Sequence, residues 1–158
     1  MTAPQKSPPR MRLMQRRALT TGEIALARPM FGPAFDAARI TLVQLPPLGF
    51  AAMAPSERLV AFSRWRAPLD FTEAALSEQG WLIHELAHCW QAQAGIALPL
   101  AKLAALGAAA YRQTPDARGF AGLNIETQAE CARFAFLARA GAPDPAGARY
   151  AKLWPIAA

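Results

Sequence analysis

The chain has 158 residues, 53% of them hydrophobic, with 17 Lys and Arg against 11 Asp and Glu and a net charge of +6. That length and apolar content suit a single domain with its own core. Lys6, Arg10, Arg12, Arg16 and Arg17 all precede the first acid, Glu23, so the rest of the chain sets 12 basic residues against 11 acidic ones and is close to neutral.

A neutral body argues against a nucleic-acid surface. The basic stretch 1–18 is short and carries no aromatic residue, so it reads as a flexible, solvated arm and not as a nucleic-acid ligand. The first twenty residues contain no apolar core of a secretory signal. The longest apolar run, GIALPLAKLAALGAAAY, is broken by Pro99 and Lys102 and falls short of the ~20 residues of a membrane span. A soluble protein made in the cytosol is expected, with Cys89 and Cys131 reduced. Export by a non-classical secretion machine stays open.

The first element expected is a helix beginning near Thr20, because Thr20 and Glu23 have the spacing of a capping box. Ile24, Leu26 and Ala27 give it apolar contacts, and Pro29 and Gly32 limit its length. Residues 39–45 alternate and contain Ile40, Thr41 and Val43, the pattern of a strand. After the turn PPLGF, the stretch ERLVAFSRW predicts a second strand. A helical pattern then runs over 71–93, with Gly95 placed as a left-handed C-terminal cap. A shorter Ala/Leu-rich helix is expected over 99–110 and a loop over 111–124. A last long helix spans 125–140, stopped by Gly141 and Pro143. The tail YAKLWPIAA is expected to pack Trp154 back on the body. The fold class is therefore α+β, mostly helical, with two or three strands ahead of the 71–93 helix, and 19–158 form one domain.

Both histidines of the chain lie in WLIHELAHCW, at 84 and 88. Residues i and i+4 share a helix face, so both imidazoles can point at one spot. Glu85 stands about 100° around the helix from His84. This is the H-E-x-x-H arrangement of two metal ligands and a carboxylate able to reach a metal-bound water. The flanking Trp81, Leu82, Ile83, Leu86, Ala87 and Trp90 predict a buried helix, in which an ionised Glu85 needs a compensating charge. Zinc in a catalytic site takes three protein ligands and keeps a position open. With no third histidine, the third ligand is a carboxylate or a thiolate; Cys89 lies on the far side of the helix, and the best candidate segment is NIETQAECARF. In NIETQAECARF, Glu126 and Glu130 again stand i and i+4. One can bind the ion while the other hydrogen-bonds a ligand histidine. A peptide bond is the expected substrate, laid along an edge strand such as 58–62. Tyr111, Arg112 and the more remote Tyr150 are candidates to stabilise an oxyanion.

HELAH followed by ETQAE resembles the gluzincin branch of zinc metallopeptidases. Together with LTTGEIALARPMFGPAFDAARITL and LNIETQAE, WLIHELAHCWQAQAG is similar to short bacterial Vgr-related proteins and to minimal HExxH domains found near contractile injection systems. The likeness covers roughly 19–45 and 77–137. It implies a zincin-like domain binding Zn2+ through His84 and His88. It further implies Glu126 as third ligand, Glu130 behind a histidine and Glu85 as general base, acting on a peptide or protein substrate in a secretion-system setting. A non-catalytic zinc-binding adaptor of such a system would use the same residues.

Overall fold

The computed structural model describes residues 7–105 and 108–157. Among them are a four-stranded sheet and five α-helices, an α+β fold as the sequence predicts. Strand β1 (Arg16–Ala18) leads into helix α1 (Thr21–Phe31), followed by β2 (Thr41–Gln44), β3 (Ala52–Ser56) and β4 (Leu59–Phe62). Helices α2 (Leu76–Gln93), α3 (Leu98–Ala104), α4 (Ile125–Arg139) and α5 (Ala148–Ala151) complete the order, joined by short 3-10 turns. No described helix is long and apolar enough to cross a membrane.

The sheet runs β1-β2-β4-β3, with β2 and β4 parallel and both outer pairs antiparallel. It has four strands where two or three were expected. The two extra ones lack β-forming sequence: β1 is Arg-Arg-Ala, and β3 contains Pro55, at the point where its register against β4 slips. A proline cannot donate to a ladder, and a bulged outer strand is one of the few places a sheet accepts it. β4, expected at an edge, lies between β2 and β3 and is paired on both sides; the edges are β1 and β3.

The stretch 7–18 is not a free arm. Met11 is fully buried, its N–H bonds Ala67 O at 2.8 Å, and Leu69 N–H bonds Pro9 O at 2.8 Å. β1 pairs with β2 over Arg16–Ala18. What ties it down is Glu23, an acid with no exposed surface. Its carboxylate accepts from both terminal nitrogens of Arg17 (2.7 and 2.6 Å), from Thr20 N–H (2.8 Å) and from Phe71 N–H (2.9 Å). The Thr20–Glu23 capping box is thus present and also clamps β1 and the 70s loop to α1. Charge count alone could not show that Arg17 has a buried partner.

The helix expected over 71–93 begins at Leu76; Phe71–Glu73 forms a separate 3-10 turn capped by Asp70. Its C-terminus is as predicted. Gly95 sits at φ +93°, with Gly95 N–H on Ala92 O and Ile96 N–H on Gln91 O, the paired bonds of a Schellman cap. Of the helix expected over 99–110, the described residues show an α-helix at Leu98–Ala104 and a 3-10 turn at Ala108–Arg112, while 106 and 107 lie outside the described residues.

Leu82, Ile83, Leu86 and Ala87 of α2 are fully buried with Leu42, Val60 and Phe62 of the sheet and Ala129 and Ala132 of α4. Trp154 packs back as expected, its indole N–H bonding Met30 O at 3.0 Å and its ring set against Phe31, Trp90 and Phe120. Cys89 and Cys131 are free and buried.

Candidate metal centre

α2 and α4 pack along their lengths, and the polar residues of both meet in the seam. Asn124 caps α4 by accepting from Thr127 N–H, which places Glu126 in the first turn beside the positive end of the helix dipole. His84 and His88, one turn apart on α2, face it. Glu126 Oε2 lies 3.4 Å from His84 Nε2 and 3.2 Å from His88 Nε2. All three side chains are buried, at 2%, 1% and 7% exposure.

The other ring nitrogens are engaged away from this point. His84 Nδ1 lies 2.8 Å from Glu130 Oε1, and Glu130 Oε2 accepts from Arg133 Nη1 at 3.0 Å. Arg133 in turn lies 4.5 Å over the ring of Trp81. His88 Nδ1 lies 2.9 Å from Gln91 Oε1. The Gln91 amide is oriented by donating to Ile125 O (3.1 Å) and Gln128 Oε1 (2.9 Å), so its oxygen must accept from His88. With both Nδ1 atoms donating, the Nε2 atoms are the ones left to bind an ion beside Glu126.

The donor set fits a divalent ion. Two imidazole nitrogens and one carboxylate oxygen lie within 4.8 Å of one another. Donors ~2.0–2.1 Å from a tetrahedral ion stand about 3.3–3.4 Å apart, close to both measured separations from Glu126. Both histidines have the outer partners that fix ring and tautomer in metal sites. Glu85 adds a further sign: it is 4% exposed, and its Oε2 has no hydrogen-bond partner. Leaving a buried carboxylate oxygen unmatched is costly.

Without an ion the carboxylates hold a proton on His84. Burial pushes its pKa down, but hydrogen bonds from Glu126 and Glu130 and the charge of Glu85 prevail and raise it to about 9. Burial works to raise Glu126 and Glu130 as well, but His84 and His88 pull Glu126, and His84 with Arg133 pulls Glu130, below the usual carboxylate range. An ion and a proton therefore compete for His84.

The site opens into a cleft of about 550 Å³. His84, Glu85, His88 and Glu126 form its floor, with Trp65, Trp81 and Tyr111 in its walls. Tyr111 stacks on His84, ring centroids 6.0 Å apart at 28°, and its hydroxyl pKa is raised by burial and by the charges of Glu126, Glu85 and Glu130. Thus His84, His88 and Glu126 come together, Glu130 lies one layer out, and Glu85 and Tyr111 share the cleft. Arg112 is exposed and not part of the cleft wall. Tyr150 is 1% exposed, stacked on Phe134, with its hydroxyl accepting from Arg149 and donating to Gln113 O. Cys89 points away, its thiol toward Ser56 O. The sequence reading missed Gln91, Arg133 and Lys102. The first two stand i+3 from His88 and Glu130, a spacing that could have flagged them; Lys102 enters the cleft from α3, which only tertiary packing reveals.

No protein-family model matches the chain. It is 33% identical over 132 residues to the type VI secretion system spike protein VgrG2b of Pseudomonas aeruginosa. The match covers 77% of this chain and 13% of that protein, so the chain spans about an eighth of its relative's length. Among solved structures, the effector domain of Pseudomonas aeruginosa VgrG2b aligns with a TM-score of 0.65 and 28% identity, covering 94% of this chain and 87% of that domain. By sequence and by fold the chain is similar to the effector domain of a type VI secretion spike protein.

Proposed function

We propose that the protein is a zinc-dependent peptidase of the gluzincin type, acting as an effector associated with a type VI secretion system. The observation that carries this is the convergence of two histidine Nε2 atoms and the Glu126 carboxylate at 3.2–3.4 Å, beside the unmatched Glu85 oxygen and open to a cleft. His84, His88 and Glu126 would hold the ion, and the mixed nitrogen and oxygen donors suit zinc. When bound, it lowers the pKa of a coordinated water toward ~7 and polarises the substrate carbonyl.

The remaining work falls to the chain. Glu85 accepts the proton of the attacking water and returns it to the amine that leaves when the C–N bond breaks. Tyr111, held against His84, donates its hydroxyl hydrogen to the oxyanion formed on the carbonyl. Glu130 and Gln91 keep the two imidazoles in register. The outer strand β3 has an unpaired edge and adjoins the cleft through Ala51 and Ala52, so an extended substrate can be held there by main-chain hydrogen bonds. The likeness to a spike-protein effector domain supports synthesis in the cytosol followed by export through the secretion machine.

The test is cleavage of a protein digest by the zinc-loaded chain, with and without chelator, beside Glu85→Gln. Glu85→Gln should keep its zinc and lose cleavage by a factor of about 10²–10⁴. Chelator-insensitive cleavage, or full activity in Glu85→Gln, refutes the mechanism. Zinc binding with no cleavage at all would point to an adaptor.

A further inference from the structure

The cleft holds one charged side chain that the proposed chemistry leaves unused. Lys102, in the last turn of α3, is half-buried and lines the cleft together with Tyr111 and Glu126. Among the described residues it is, apart from the histidines, the one cationic residue there. Among the described residues it makes no ion pair, although carboxylates stand on the same floor. Those are committed elsewhere: Glu126 to the two histidines and Glu85 to the reacting centre. Around them the walls are aromatic: Phe50, Trp65, Trp81 and Tyr111.

A half-buried ammonium without a counter-charge is poorly solvated and gains when a carboxylate reaches it. With an ion in place, its two positive charges balance Glu85 and Glu126, and Lys102 leaves the cleft positive by one. From this we infer that Lys102 is a specificity-determining residue, selecting polypeptides that place an acidic side chain next to a bulky apolar one. The inference rests on the peptidase reading for the site, and it supplies the substrate class which that reading lacks. Lys102 is assigned to substrate binding, because Tyr111 already lies against the reacting centre as the electrophile.

Trp65 and Trp81 line the cleft, so binding can be read without turnover. The probes are acetylated, amidated alanine hexapeptides carrying one leucine and a Glu, Gln or Lys beside it on either side. Each is titrated against the zinc-loaded Glu85→Gln protein by tryptophan fluorescence. In one of the two positions the Glu peptide should bind about fivefold tighter than the Gln peptide, the size of a partly exposed ion pair. Lys102→Met should erase that difference, and Lys102→Glu should turn the preference toward the Lys peptide. Equal binding of Glu and Gln peptides, persistence of the preference in Lys102→Met, or no binding of any peptide overturns the inference. Cleavage of the same panel by the unsubstituted chain is scored separately. A charge preference without cleavage refutes the peptidase reading and leaves the binding selectivity standing.

Discussion

Glu126 and Glu130 are the same residue type one turn apart, and the geometry gives them different tasks that substitution can separate. Glu126 Oε2 stands at ligand spacing from both Nε2 atoms. Glu130 Oε1 stands at hydrogen-bond distance from the opposite nitrogen of His84. Glu130→Gln leaves an amide oxygen that still accepts from Nδ1 but deprives Arg133 of its counter-charge. Removing such an outer partner costs about 10–100-fold in metal affinity, or about 1.4–2.7 kcal/mol. The amide should fall near the tenfold end and Glu130→Leu near the hundredfold end. Glu126→Gln removes a charged ligand outright, and its loss should exceed that of Glu130→Leu. Chelated protein titrated with zinc against an indicator dye gives all three values, with circular dichroism to confirm folding. If Glu130→Gln weakens zinc more than Glu126→Gln does, or Glu126→Gln binds like the parent, the assignment of roles is wrong.

Glu23→Leu should be among the most destabilising single changes, because it strands the Arg17 guanidinium, 13% exposed, and two backbone N–H groups; a loss of about 3–5 kcal/mol is expected from urea unfolding, and less than about 1 kcal/mol would contradict the clamp. Metal-free protein should lose stability in alkali first. His84, raised to about 9, contributes fully below its ordinary 6.5 and fades as pH climbs through 9. Glu126 and Glu130, both lowered, contribute above about 4.5 and fade as pH falls through their depressed range. Urea midpoints across pH test this, and a midpoint that rises from pH 7 to 9 contradicts it. Cys89 and Cys131 are buried and burial pushes both thiols up to about 12, so a disulfide reagent should find no reactive thiol in the folded chain and two after denaturation.

What the sequence made legible was local. The Thr20–Glu23 box, the Gly95 cap, the last long helix α4 and the HELAH turn are each set by residues within a few positions of one another, and each appears where the pattern places it. Strands fared worse because pairing is non-local. Arg-Arg-Ala becomes β1 only because β2 offers it a ladder and Glu23 neutralises Arg17. β3 escapes a propensity search because Pro55 interrupts it. The inner site followed from spacing, but the division of labour between Glu126 and Glu130 depends on how α4 is rotated against α2, which only packing decides. The same holds for Lys102, carried into the cleft by a helix that only tertiary contacts direct.

Both histidines at the candidate ion position are already steered by neighbours that are not the ion: Glu130 and Arg133 behind His84, Gln91 and Ile125 O behind His88. Loading and stripping zinc should therefore be reversible events confined to one seam, fast beside any unfolding.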